Sequence, residues 1–182
     1  MQGFFNVLMV GRYAGEKRQD ELIAACTKCR HAKEIQVILA GRGPLEKKYR
    51  RLAEKLPNPI VMSFYEPARL LEILHMADLY VHTSDAEIEA MSCMEAFACG
   101  LVPVIADSPR SATPQFALDE RSLFPAGDTD VLAERIDWWL EHPEERREME
   151  LRYAEHAKQY TLEHSIQQTE EMFRMALREQ RG

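Results

Sequence analysis

Residues 79–106 read LYVHTSDAEIEAMSCMEAFACGLVPVIA: two short apolar runs, Leu79 to His82 and Pro103 to Ala106, bracket a stretch that carries Glu87 and Glu95. Short apolar runs bounded by turn residues read as buried strands, and the run between them has the length and composition of a helix. The two carboxylates therefore stand where a strand end meets a helix start, the edge at which open α/β sheets bind ligands. Backbone amides from Ile88 to Met91 open that helix and have no intrahelical partners, so they are donors for anionic or hydroxyl oxygens. Glu87 stands beside them as an acceptor. Glu95, about two turns further on, can accept from vicinal hydroxyls at the same pocket edge. A polyol diphosphate suits such a set of groups.

Working outward, the same rhythm recurs. Strands are expected at Phe4 to Val10, Ile35 to Ala40, Ile60 to Ser63, Leu79 to His82, Val104 to Ala106 and Ser122 to Phe124. Helices are expected at Gln19 to Arg30, Leu45 to Leu56, Arg69 to Met76 and Met91 to Ala98. Beyond Thr129 the chain turns helical: Val131 to Glu141, Pro143 to about Tyr160, and Leu162 to Arg178, with a break at His142-Pro143. Apolar strands separated by helices predict an α/β fold, a Rossmann-like three-layer sandwich with a parallel sheet of about six strands, plus C-terminal helices.

Composition sets bounds. The 182 residues, 46% of them hydrophobic, can bury one core, and the formal net charge of -7 argues against a nonspecific nucleic-acid binder. No segment approaches the roughly 18 consecutive apolar residues of a membrane span, and the start MQGFFNVLMVGR lacks a signal peptide's basic region and cleavage site. A soluble, cytoplasmic chain is expected. Cys26 and Cys29 form a C-x2-C with no second ligand pair, and no H-E-x-x-H occurs, so no metal site is expected and the thiols read as buried and reduced. His82, at the end of the fourth strand, reads as structural or supporting. Of Trp138 and Trp139, one should pack inward.

Gly11-Arg12 ends the first strand and Glu16-Lys17 opens the first helix, so Arg12 and Lys17 emerge on the edge that carries Glu87. An arginine fork and a lysine point charge suit a diphosphate; on spacing alone, solvated loop charges are an equal reading. Gly41 and Gly43, in AGRGP, permit close backbone approach to a nucleotide or simply make a tight strand-to-helix turn. Neither G-x-G-x-x-G nor a P-loop is present.

The stretch from Glu87 to Glu95 resembles the E-x7-E signature of family-4 retaining glycosyltransferases, enzymes of GT-B architecture. VGRYAGEKRQDELIAA, from Val10, and ILAGRGPLEKKYRRLA, from Ile38, resemble two further elements of that family, in the same order. EAFACGLVPVIADSP, SAT and FALDERSLF are most similar to the bacterial enzymes that glucosylate diacylglycerol or cholesterol. The resemblance implies a donor-binding C-terminal half, residues 1–160, with a last helix over 161–182 that packs back on an N-terminal half. It implies transfer of a hexose, glucose from UDP-glucose, to a lipid acceptor held mainly by that other half, with no cofactor or metal and with peripheral contact at the inner face of the membrane.

By the same resemblance, Arg12 and Lys17 bind the diphosphate, Glu87 accepts from the sugar's hydroxyls, Glu95 holds the ribose, and amides of Ile88, Glu89, Ala90 and Met91 assist. The base would lie around Phe64 to Pro67. The chain departs from the broad family in having EIEA where many members have EGFG, and in LVPV after Gly100, one residue longer than T-P-V. Because the implied acceptor half is absent from these residues, the chain is expected to bind donor and transfer little alone. Two alternatives stand beside this reading: a polysaccharide or other glycan transferase using a different nucleotide-sugar, and a noncatalytic Rossmann-like interaction module.

Overall fold

The computed structural model describes residues 3–179. Six strands, β1 (Phe5–Val10), β2 (Ile35–Ala40), β3 (Val61–Ser63), β4 (Leu79–His82), β5 (Pro103–Asp107) and β6 (Leu123–Pro125), form one sheet in the order β3-β2-β1-β4-β5-β6. Every pairing is parallel: β1 runs in register with β2 from Phe5 opposite Ile35 to Val10 opposite Ala40, and meets β4 at Val7 opposite Leu79. All of β2 and β4 is buried, as continuous apolar strands covered on both faces must be. Strand order reverses between β1 and β4, so right-handed crossovers place the helices that follow β1 and β2 on one face and the helix that follows β4 on the other. This is the expected Rossmann-like sandwich.

The helices are α1 (Gln19–Lys28), α2 (Glu46–Ala53), α3 (Pro67–Met76), α4 (Met91–Ala98), α5 (Thr129–Glu141), α6 (Pro143–Ala157) and α7 (Leu162–Glu179). α1 packs against α2 and α5, while α4 packs against α6. Boundaries differ from the sequence expectation where local chemistry decides them. α1 stops at Lys28 because Cys29 takes an extended ψ of 138°. α3 begins two residues early because Pro67 fits a first turn, and α5 begins at Thr129 because the Asp128 carboxylate accepts from the amides of Asp130 and Val131. Ser122 belongs to a 3-10 turn, so β6 starts one residue later than expected.

The core is a single cluster running from Val7 and Leu8 through Phe97 and Phe124 to Trp139 and Tyr153. Trp139 is fully buried, while Trp138 is half-buried and stacks on His142, 4.2 Å between centroids. Cys26, Cys29 and Cys93 are buried free thiols and Cys99 is half-buried. Burial raises the Cys93 thiol far above its ordinary value. α7 keeps the apolar side chains Leu162, Ile166, Met172, Phe173 and Leu177 exposed. The expected domain limits, 1–160 and 161–182, include residues 1–2 and 180–182, which lie outside the described residues. No described helix is long and apolar enough to cross a membrane.

Beyond the strand ends, the β1 and β2 loops stay zipped: Gly11 N–H donates to the Ala40 carbonyl at 3.0 Å and Tyr13 N–H to the Arg42 carbonyl at 3.1 Å. A Cβ on Gly41 would lie 2.0 Å from the Gly11 carbonyl oxygen, and one on Gly43 would lie 2.6 Å from that of Tyr13. Both glycines thus serve loop-to-loop packing. Gly11 is different, since its nearest neighbour to an added methyl is 3.8 Å away. Gly41→Ala is expected to cost more than about 2 kcal/mol of unfolding free energy and Gly11→Ala less than about 1, as measured by denaturant melts.

Candidate functional site

The carboxyl ends of β1 and β4 flank the point where strand order reverses, and the crevice of an open α/β sheet lies there. Two loops leave these strands, residues 11–18 and 83–90, and they are bound to each other. The buried Thr83 hydroxyl lies 2.8 Å from the Lys17 carbonyl and 2.9 Å from that of Arg18, and Asp85 N–H donates to the Glu16 carbonyl at 2.8 Å. Arg18 sits in the left-handed region (φ 52°) and reaches both Asp85 at 3.0 Å and Glu21 at 2.6 Å. A short 3-10 turn, Gly15–Lys17, ends at this residue.

This lacing delivers Lys17 to Glu87, and their side chains form an ion pair and hydrogen bond. Burial raises the Glu87 carboxyl, but donors at His82, Lys17 and Ser84 outweigh it and lower the value from 4.5 to about 2. His82 Nε2 lies 3.4 Å from Glu87 Oε1, and both it and Ser84 Oγ lack a partner in bonding geometry. We therefore assign most of the lowering to Lys17, the one donor whose hydrogen bond is made. His82 is buried and stacks on Tyr80 at 6.1 Å, and the Tyr80 hydroxyl donates to Ser92 Oγ at 3.0 Å.

Around the pair lies a cavity of about 600 Å³, lined by Glu16, Lys17, Ala86 to Ser92 and Arg110. Glu87 is anchored on its far side, where Ala112 N–H donates to its carbonyl at 3.0 Å. The amides of Ile88, Glu89 and Ala90 have no hydrogen-bond partner among the described residues, which leaves them as donors at the cavity wall. They precede α4 rather than belonging to its first turn. Ala90 itself caps α4 at φ 42°, ψ 54°, a conformation that glycine adopts without strain.

Arg12 lines a second cavity, of about 530 Å³, with Gly11, Gly41 to Pro44, Phe64, Tyr65 and Leu70. The Arg42 guanidinium lies 4.3 Å over the Phe64 ring in its wall. The structure thus brings Lys17, Glu87, Ile88, Glu89, Ala90 and Met91 to one cavity and Arg12 to the neighbouring one. Glu95 is exposed on α4 and lines neither. Among the described residues no three His, Cys, Asp or Glu side chains are grouped to hold a metal ion.

Sequence reasoning did not single out Thr83, Arg18, Asp85 or Arg110. Thr83-Ser84-Asp85 directly after a buried strand was the available clue, because three small polar residues at a strand's end favour bonds to a neighbouring loop.

Glu87 titrates lower in the folded chain than in the unfolded one. Its contribution to stability is complete above about pH 4.5 and is lost as pH falls toward 2. The stability difference between wild type and Glu87→Gln, from urea melts, should be full at neutral pH and shrink steadily through that window.

Residues 2–159 match the family of glycosyl transferases group 1. The catalytic domain of cholesterol-alpha-glucosyltransferase from Helicobacter pylori superposes with a TM-score of 0.83 at 48% identity, covering 86% of this chain and 99% of that one. Anabaena Alr3699/HepE in complex with UDP shares the fold, with a TM-score of 0.81 at 21% identity over 95% of this chain and 49% of that one. A Bacillus subtilis (strain 168) protein named "Putative glycosyltransferase EpsD" is 30% identical over 149 residues, and the match covers 76% of this chain and 39% of that protein's length. The β3-β2-β1-β4-β5-β6 sandwich is that of GT-B glycosyltransferase domains, and the chain belongs to the group 1 glycosyl transferases.

Proposed function

We propose that this chain is the donor-binding half of a retaining glycosyltransferase that takes a hexose, glucose from UDP-glucose, and passes it to a lipid once joined to an acceptor-binding half. The observation that carries this reading is the Lys17–Glu87 pair beside free backbone amides at the strand reversal. A carboxylate held near 2 is ionised at any physiological pH, so Glu87 acts as an acceptor for sugar hydroxyls and not as a proton donor. Lys17 and Arg12 hold the diphosphate and stabilise its charge as the bond to the sugar breaks. The uracil and ribose occupy the cavity bounded by Phe64, Tyr65 and the glycine-lined loops. That a relative at 48% identity is a cholesterol-alpha-glucosyltransferase supports the lipid acceptor and the α-linked glucose.

No metal is assigned a part, and the exposed Met172, Phe173 and Leu177 of α7 pack on the other half of the enzyme. The full-length protein would then act at the cytoplasmic membrane surface. Polysaccharide transfer from a GDP- or ADP-sugar is the second reading, and a ligand-free interaction module the third.

Thermal shifts with UDP, GDP and ADP separate these readings, because a ligand that binds only the folded state raises its stability. UDP should raise the melting temperature most, with EDTA making no difference. Lys17→Ala should weaken UDP about tenfold or more. A larger shift with GDP or ADP would favour the second reading, and no shift with any of them the third. The chain alone should give little or no transfer from UDP-glucose to a lipid acceptor.

A further inference from the structure

Ile88 is 88% exposed although its backbone is fixed on both sides, by the Glu87 carbonyl bond to Ala112 and by the α4 cap at Ala90. A rigidly held, solvent-facing isoleucine stands at the rim of the Lys17–Glu87 cavity. That cavity shares Ile88, Glu89 and Met91 with a groove of about 440 Å³. The apolar lining of the groove is Ile88, Met91, Met94, Phe116, Tyr160 and Leu162. Its floor is aromatic and braced: Tyr160 meets Phe116 edge to face at 5.5 Å and Phe97 at 5.7 Å. Glu89, Gln115 and Ser165 give it a polar rim. A groove of this size with apolar walls and a few polar groups suits a small amphiphile.

Glycosyl transfer requires the acceptor oxygen within about 3.5 Å of the sugar's anomeric carbon. The rest of the acceptor must therefore leave the sugar cavity along one of its walls. On one side the cavity carries the charges of Glu16, Lys17 and Arg110; the apolar way out is past Ile88 and Met91. We propose that this groove holds the apolar body of an acceptor alcohol, so that the donor half itself supplies one wall of the acceptor site. The inference rests on the donor reading above. In the step it serves, the acceptor oxygen bonds to the anomeric carbon as that carbon's bond to the diphosphate oxygen breaks, and the hydroxyl proton passes to the departing diphosphate.

Titration calorimetry of the full chain, saturated with UDP, against dioctanoylglycerol tests the idea. Leu162→Asp places a charge in the groove at an exposed position where a helix start favours an acidic residue. Ser165→Trp fills the groove from its rim. Each variant should weaken dioctanoylglycerol about fivefold or more while leaving UDP affinity and melting temperature within error. Absence of dioctanoylglycerol binding by wild type, or unchanged binding by both variants, overturns the proposal, the latter outcome meaning that the lipid binds elsewhere. If wild type fails to bind UDP, the donor reading falls instead, and the two failures are distinguishable.

Discussion

Everything in the site depends on two loops being fastened to each other across the strand reversal. One buried hydroxyl at Thr83, one amide at Asp85 and one guanidinium at Arg18 hold residues 16–18 against residues 83–85. Each bond alone contributes about 1 kcal/mol, more where charged. Together they fix a lysine and a glutamate 70 residues apart in sequence at contact distance. Without that fastening Lys17 would be one solvated charge on a long side chain, and exposed ion pairs contribute little. Arg18 adopts a left-handed backbone to take part, a cost of roughly 1–2 kcal/mol that its paired carboxylates offset.

The fold was legible because its signal is periodic. Continuous apolar runs such as Ile35 to Ala40 have little freedom except to be buried on both faces, and the alternation with amphipathic stretches leaves a parallel sheet as the natural solution. The termini of elements were less legible, since they turn on single residues: an aspartate at 128 that caps, a proline at 67 that starts a turn, an extended ψ at Cys29. For the site, spacing placed Arg12, Lys17 and Glu87 on one sheet edge, and there the structure has Lys17 and Glu87 touching while Arg12 lines a separate cavity. Glu95 shows the limit of helical arithmetic. Two turns of α4 carry it to an exposed position outside both cavities.

Gly41 and Gly43, which spacing left open between approach to a nucleotide and a tight turn, have a third reason to be glycines: the backbone of residues 11–13 lies against them. That packing buries Tyr13, its hydroxyl donating to the Leu39 carbonyl at 2.8 Å, so the two loops are tied to the core as well as to each other. At residue 90 the trade runs the other way: an alanine occupies a left-handed position, and the neighbouring side chains at 88 and 89 reshape the cavity rim.

Lys17 and Glu87 are each other's partner, and the carboxylate is largely buried. An anion that draws the cation away leaves that carboxylate uncompensated, whereas a ligand that also carries hydroxyl donors repays it with new hydrogen bonds. One shared charge thereby sets a preference for molecules that join an anionic group to donors over bare anions.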